Sequence, residues 1–519
     1  MNGNEEINFS AKRRNNTIKP SSSKSTFPKT FTAFQPQVVR KDSKFKTDEK
    51  ALDFIKSVIL KLKVEEMIKH AWSGYSSFAL GSDELRPISK TSRNWMTKSG
   101  FAATLIDSLD TLWIADMKTE FYDALEEVKK INFDQNDSTS VFETCIRILG
   151  GLLSAYDLSG EKVLIEKAIE IADRLLPAFD SPSGIPSGLI NLHTYKSINY
   201  LISGETGKQP WLGDAVSLAE IGSLQLEFTF LSEITGIQKY KEKSQQVFFT
   251  LSKMKTKVPG LYPMRILPDT FEQPADEFSL GGLSDSFYEY LLKLWILEDK
   301  KPTLFRKMFD DAMDASTKVL LGTNKMGYRY FGTYRGILIP EMEHLTCFSG
   351  GMIALGVMTR TSSSQQKYFE LASEITETCY QMYHRQVSGL SPEKVSMNNF
   401  EALVPYFIQR PETVESIFYM WRFTHNPKYR EWGLEIAKNI EMHCKVKHGY
   451  AGVENVTAKH LQLRDNQESF FLAETLKYLY LLFSDDDKIS LDQYVFNTEG
   501  HPFSIHSPRR FFNDFSKDN

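Results

Sequence analysis

The chain has 519 residues, 41% of them hydrophobic and 25% charged, the proportions of a globular protein with a large core. A net charge of −4 argues against a nucleic-acid partner, and four cysteines are too few for a disulfide scaffold. No apolar run reaches the roughly 18 residues of a membrane span, and the N-terminus carries no hydrophobic signal core.

Residues 1–46 are rich in Lys, Arg, Ser, Thr and Pro and poor in aliphatic residues, which predicts a disordered basic leader before a single domain over 47–519. Sequons at Asn8, Asn15, Asn136 and Asn455 carry meaning only if the chain enters the secretory pathway. From residue 51 the pattern is helical. Ala51–Trp72 is amphipathic; Ala103–Met117 is apolar but interrupted by Asp107, Ser108 and Asp110, and Glu120–Ile131 is amphipathic again. Ser140–Ser159, nearly all apolar apart from Glu143 and Arg147, precedes amphipathic Glu161–Leu176. The alternation continues: Leu218–Thr235 (with Glu220 and Glu227) then Gln238–Met254, and Gly282–Leu297 (with Asp285 and Glu289) then Thr303–Leu321. His344–Met358 then Ser364–Tyr383, Glu412–Thr424 then Lys428–His443, and finally Glu468–Phe483 complete it.

An apolar helix with a polar residue near its start is thus followed repeatedly by an amphipathic one. If the first helix partners the last, there are seven pairs. Helices buried on both sides alternating with helices buried on one are what a closed double ring requires. The expected fold is all-α, an (αα)7 barrel of inner and outer helices. An open solenoid would want polar caps at both ends, and the last helix here is apolar.

In such a ring the inner helices all start at one end. Glu143, Asp285, His344, Arg410, Glu412 and Glu468 would then share one cavity mouth. The stretch Arg410-Pro-Glu-Thr-Val-Glu-Ser416 is the most pointed case, because two carboxylates at i, i+3 open an otherwise apolar helix. Taken singly, each such acid is an ordinary helix-start residue favoured by the dipole. The tail after residue 492 contains Tyr-Val-Phe, a short strand that serves as an edge or a plug. Its Asn497-Thr498-Glu499 is either turn chemistry or a source of oxygens for a hard cation. Cys347 and Cys379 lie on successive helices as a candidate pair that pattern alone does not establish.

Eight strings carry a resemblance: Asp107-Ser-Leu-Asp-Thr-Leu; Ser140-Val-Phe-Glu143-Thr-Cys-Ile-Arg147 with the following Gly-Gly; Ser181-Pro-Ser-Gly-Ile-Pro186; Asp285-Ser-Phe-Tyr-Glu-Tyr290; His344-Leu-Thr-Cys347-Phe; Arg410-Pro-Glu-Thr-Val-Glu-Ser416; Glu468-Ser-Phe-Phe-Leu-Ala-Glu474; and Phe496-Asn-Thr-Glu499. In this order and spacing, from about Ala71 to His501, the chain resembles glycoside hydrolase family 47, the class I α-1,2-mannosidases. The resemblance implies an (αα)7 barrel plugged by a C-terminal β-hairpin. It also implies a Ca²⁺-dependent, inverting exo-α-1,2-mannosidase that trims high-mannose N-glycans from Man₉GlcNAc₂ towards Man₅GlcNAc₂.

Inversion places an acid and a base about 6.5–9.5 Å apart to admit a water. By resemblance Glu143 is the acid, acting through a water, Glu412 the base, and Asp285 a third essential carboxylate and rival acid. Thr498 is the implied Ca²⁺ ligand, with Glu412, Glu474 and Glu499 holding waters around the ion. Phe470 is the ring under the terminal mannose, and Arg147, Glu227, His344, Arg410 and Glu415 line the same pocket. Cys347 and Cys379 match the family's disulfide, which implies an oxidising lumen, that of the endoplasmic reticulum or Golgi, or secretion.

Three departures stand out. Leu283 occupies the position where endoplasmic-reticulum-type members carry a branch-reading arginine, which places the chain nearer Golgi-type and fungal enzymes. Gly500 replaces a usual alanine, a change expected to be harmless, and the N-terminus lacks the usual anchor or signal. The chain is expected to act as a monomer. The alternative reading is an inactive, lectin-like glycan binder of quality control, but no substitution at Glu143, Asp285, Glu412 or Thr498 favours it.

Overall fold

The computed structural model describes residues 45–511 apart from 199–214, 269, 271, 302, 360–364 and 507, with side chains from Ser57 onward. The expected leader, residues 1–46, lies outside them except for its last two residues. In chain order the helices are α1 (Phe45–Phe78), α2 (Ala103–Ile114), α3 (Lys118–Val128), α4 (residues 141–159), α5 (Lys162–Leu175), α6 (residues 218–235), α7 (Lys239–Leu251), α8 (Asp285–Leu297), α9 (Thr303–Val319), α10 (residues 344–358), α11 (Gln365–His384), α12 (Glu412–Thr424), α13 (Pro427–His443) and α14 (residues 469–482).

Burial follows composition. Every residue of α8 from Ser286 to Leu297 is buried. In α5 only Leu164, Ile165, Ala168, Ile171, Ala172 and Leu175 are, a single stripe at helical spacing. The even-numbered helices form the inner ring: each packs on the next, and α14 returns to α2. Helices α3, α5, α7, α9, α11 and α13 each back the inner helix before them. α1 meets the α14 segment, where Lys61 lies over the Tyr480 ring and Gln467 donates to the Ala71 carbonyl. The barrel of seven closed hairpins is therefore the fold.

Four inner helices are less regular than their sequences suggest. α4 contains a π turn at Thr144–Leu149 and α14 another at Phe471–Thr475, each flanking cavity residues. α10 begins as a 3-10 turn, His344–Cys347. α6 breaks between Leu218–Gly222 and Gln225–Thr235. There the Phe287 ring packs so close to Gly222 that a Cβ would lie 2.4 Å from its Cδ2. The Gln225 side chain takes up the backbone groups freed by the break, accepting from the Leu224 N–H at 3.0 Å and donating to the Ile221 carbonyl at 3.0 Å.

The strand expected at Tyr494–Phe496 pairs antiparallel with Pro502–Ser504. This hairpin enters the barrel axis: Phe503 stacks on Phe230 of α6, and Phe496 meets Phe418 of α12 and Tyr478 of α14. Its turn, residues 497–501, therefore faces the inner-helix starts from within. At that end, short sheets missed by the periodicity lead into three of the helices, Val216–Ser217 running into α6. Ser138–Ser140 feeds α4 and Glu341–Glu343 feeds α10. Cys347 and Cys379 are disulfide-bonded, tying α10 to α11 across 5.7 Å between Cα atoms; Cys145 and Cys444 are buried and free.

Candidate active site

The inner-helix starts and the hairpin turn enclose a cavity of about 510 Å³. Its wall carries Glu143 and Arg147 from α4, Leu283 and Asp285 at the start of α8, and Arg410, Glu412 and Glu415 around the start of α12. Phe470 and Glu474 of α14 and Thr498 and Glu499 of the turn complete it. Three residues expected at this mouth do not line the cavity: Glu468, just before α14, lies outside the lining, and His344 and Glu227 stand behind the wall. His344 is buried and touches the cavity only through Glu412. Glu227 is wholly buried, accepting from the Tyr290 hydroxyl at 2.6 Å and the Asn497 amide at 2.8 Å. It supports the turn rather than lining the cavity. Periodicity placed it on the right helix but could not show that the hairpin covers it.

Arg147 is the cation around which one side is built. Its Nε donates to Glu143 at 2.8 Å and its Nη1 to Ser469 Oγ at 3.1 Å. Nη1 also pairs with Glu499 and lies 3.6 Å from Asp107. Burial, with the Asp107 and Glu143 charges adding, still holds the Glu499 carboxyl well above the usual range against the pull of Arg147.

The opposite side is built on α12. Burial opposes the ionisation of Glu412, but His344, with Nδ1 2.7 Å from Oε2, and Arg410, with Nη1 3.8 Å from Oε1, outweigh it. The Glu412 carboxyl is held below its ordinary value. Arg410 is fixed in turn by donating to Glu393 at 2.6 Å. Asp285 behaves oppositely: burial, reinforced by Glu412, Glu289 and Glu343, pushes it up to about 7 against the bond from the Ser286 N–H. Burial and the surrounding acids also raise Glu474. Burial raises Glu415 too, with Lys293 opposing at 3.8 Å.

Lys293 went unnoticed in the sequence. It interrupts the apolar run of α8, is buried, and pairs with Glu289 one turn earlier. Glu220 and Glu289, seen only as polar interruptions of inner helices, also line the cavity. The signal for Lys293 and Glu289 was an i, i+4 opposite-charge pair inside a helix too apolar to be exposed.

A closed ring of helix hairpins with an aromatic wall and carboxylates facing each other across an axial cavity defines a sugar-processing barrel. The barrel matches the solved α-1,2-mannosidase from Trichoderma reesei with a TM-score of 0.78 at 29% identity, over 86% of this chain and 99% of that one. The family model for glycosyl hydrolase family 47 matches residues 67–505, and the chain belongs to that family. It is 43% identical over 454 residues to human mannosyl-oligosaccharide 1,2-alpha-mannosidase IB, covering 85% of this chain and 69% of that protein. To the rat endoplasmic reticulum mannosyl-oligosaccharide 1,2-alpha-mannosidase it is 41% identical over 463 residues, covering 86% and 68%.

Proposed function

We propose that this chain is a Ca²⁺-dependent, inverting exo-α-1,2-mannosidase acting on high-mannose N-glycans, from Man₉GlcNAc₂ towards Man₅GlcNAc₂. The relatives' activity supports the substrate. The observation that carries the chemistry is the placement of Glu143 and Glu412. They stand on α4 and α12, which are at least three helices apart either way round the inner ring, with the cavity between them. That leaves room for a sugar and a water, as inversion requires. Glu412, kept ionised, is the base that takes a proton from the attacking water. Glu143, oriented by Arg147, passes a proton through a second water to the leaving oxygen. Phe470 supplies an apolar face for the sugar ring. One observation favours a second reading of the acid: Asp285 keeps its proton to about 7.

The residues fit a hard cation. Thr498 faces the cavity, and neither its hydroxyl nor its carbonyl oxygen has a hydrogen-bond partner among the described residues. Glu412, Glu474 and Glu499 share the cavity wall with it, the last two raised above all by burial. No three acidic, histidine or cysteine side chains converge as a direct ligand set among the described residues. The donor set is therefore Thr498 oxygens with waters held by the acids, a mixture Ca²⁺ accepts. When bound, the ion would orient the sugar hydroxyls and offset the acidic charge.

We further place the enzyme in the lumen of the secretory pathway, as a monomer. The buried Cys347–Cys379 bridge supports an oxidising compartment, and no described helix is long and apolar enough to cross a membrane. The test is mannose release from Man₉GlcNAc₂ with Ca²⁺ or with EGTA, reading the first-formed anomer by NMR. β-Mannose released only with Ca²⁺ is expected. α-Mannose would overturn inversion, and calcium-dependent glycan binding without release would leave the lectin. Glu143→Gln and Asp285→Asn then settle the acid, since only the true donor's variant is rescued by a substrate with an activated leaving group.

A further inference from the structure

The turn bearing Thr498 and Glu499 is held from behind by buried charges that the proposed reaction does not use. His501 is fully buried; its Nδ1 lies 2.8 Å from Asp110 Oδ2 and its Nε2 3.3 Å from Asp107 Oδ1. The two aspartates lie at i, i+3 on one face of α2. Lys477 of α14 closes the group, 2.9 Å from Asp110 and donating to the Gly500 carbonyl at 2.6 Å. Asp110 also accepts from Ser154 of α4 at 2.9 Å. Two cations thus balance two anions, and an imidazole facing carboxylates through both nitrogens is satisfied by donating from both.

The imidazole is rigidly coupled to the turn. Asn497 Oδ1 accepts from the N–H groups of Glu499 at 3.0 Å and His501 at 2.8 Å, and the Asn497 N–H donates to the His501 carbonyl at 2.9 Å. The Asn497 amide in turn donates to the Ile146 carbonyl at 2.9 Å, one residue before Arg147. Gly150 leaves room for this contact: a Cβ there would stand 2.7 Å from Asn497 Nδ2 and 3.2 Å from His501 Cδ2. Displacing the His501 ring would therefore displace Thr498.

We propose that His501 is a positioning residue: clamped between Asp107 and Asp110, it sets where Thr498 stands and hence how tightly the cavity holds a divalent cation. This rests on the cation reading of Thr498. A merely structural clamp would lower the melting temperature and leave the folded protein's cation affinity unchanged, so affinity is the deciding readout.

The experiment is calcium titration calorimetry on the full chain, with circular dichroism to score folding, for wild type, His501→Gln and Gly150→Ala. His501→Gln keeps one donor nitrogen and puts an acceptor oxygen in place of the second; Gly150→Ala pushes on the turn without touching a charge. Both are expected to bind Ca²⁺ at least about ten-fold more weakly while folded, the scale on which outer supports of a metal site act. If His501→Gln does not fold, Gly150→Ala decides. Wild-type binding with unchanged affinity in the folded variants overturns the inference. Absence of binding by wild type overturns instead the cation reading itself.

Discussion

His344 Nδ1 lies 2.7 Å from Glu412 Oε2, and its Nε2 meets the Tyr383 hydroxyl at 3.0 Å. The imidazole thus ties the proposed base to α11, the outer helix behind it, and opposes the burial that would otherwise keep Glu412 protonated. His344→Gln should therefore raise the Glu412 pKa. A base works only when ionised, so the acid limb of the pH–rate profile should move to higher pH. At neutral pH kcat/KM should fall by about 100-fold, the scale of general-base contributions. An unmoved acid limb would remove His344 from this role.

Burial raises Asp285 and Glu227 to about 7 and Glu84 to about 8. The folded state then holds protons that the unfolded chain releases near the ordinary carboxylate value of about 4. For groups raised in this way, the stability they contribute is whole below the unfolded value and is lost as pH rises through the folded one. Melting temperature measured in EGTA should thus decline from pH 5 to pH 8. Ca²⁺ should raise it more at pH 8 than at pH 5, because the raised acids that share the cavity with Thr498 give up protons as the pH climbs. A flat profile in EGTA would contradict the proton uptake argued here.

How far the sequence reached follows from which forces act locally. α12 was legible to the residue, Glu412 to Thr424, because Pro411 and the two acids mark a start and the apolar run marks its length. The seven-fold alternation was legible because burial on one or both sides writes itself into composition. The break in α6 was not, since it depends on the Phe287 ring, some 65 residues on, packing against Gly222. The π turns in α4 and α14 leave no trace in apolar periodicity. Glu227 and His344 were assigned to the correct region, but whether a side chain lines a cavity or stands behind it depends on the hairpin and on Glu412. Gly500 sits at φ +70°, a conformation glycine adopts freely, so the departure from alanine suits its turn.

Lys293 should prove structurally indispensable. It is 1% exposed and neutralises Glu289 and Glu415, both buried in the cavity floor. Lys293→Met would leave those acids uncompensated, and breaking a buried pair costs about 3–5 kcal/mol. Urea denaturation should show a loss of that order at pH 8. The double variant Lys293→Met/Glu415→Gln should recover part of it by removing one orphaned charge. If the double variant is as unstable as the single, Lys293 is not acting through Glu415.

Leu283 tests the proposed kinship with Golgi-type enzymes. It lines the cavity two residues before Asp285, with a backbone φ of +74° that a leucine adopts only under constraint. That constraint holds the side chain at the rim in a defined place without offering a hydrogen bond to a sugar hydroxyl. An arginine at this position would add up to five donors that select one glycan branch over another. Leu283→Arg should therefore alter the order in which Man₈ isomers appear from Man₉GlcNAc₂, as read by chromatography. The proposed Ca²⁺ requirement and the proposed β-anomer of the released mannose should not change, because neither depends on the rim. An unchanged isomer order in a folded, active Leu283→Arg variant would show that branch choice is made by other residues of the cavity.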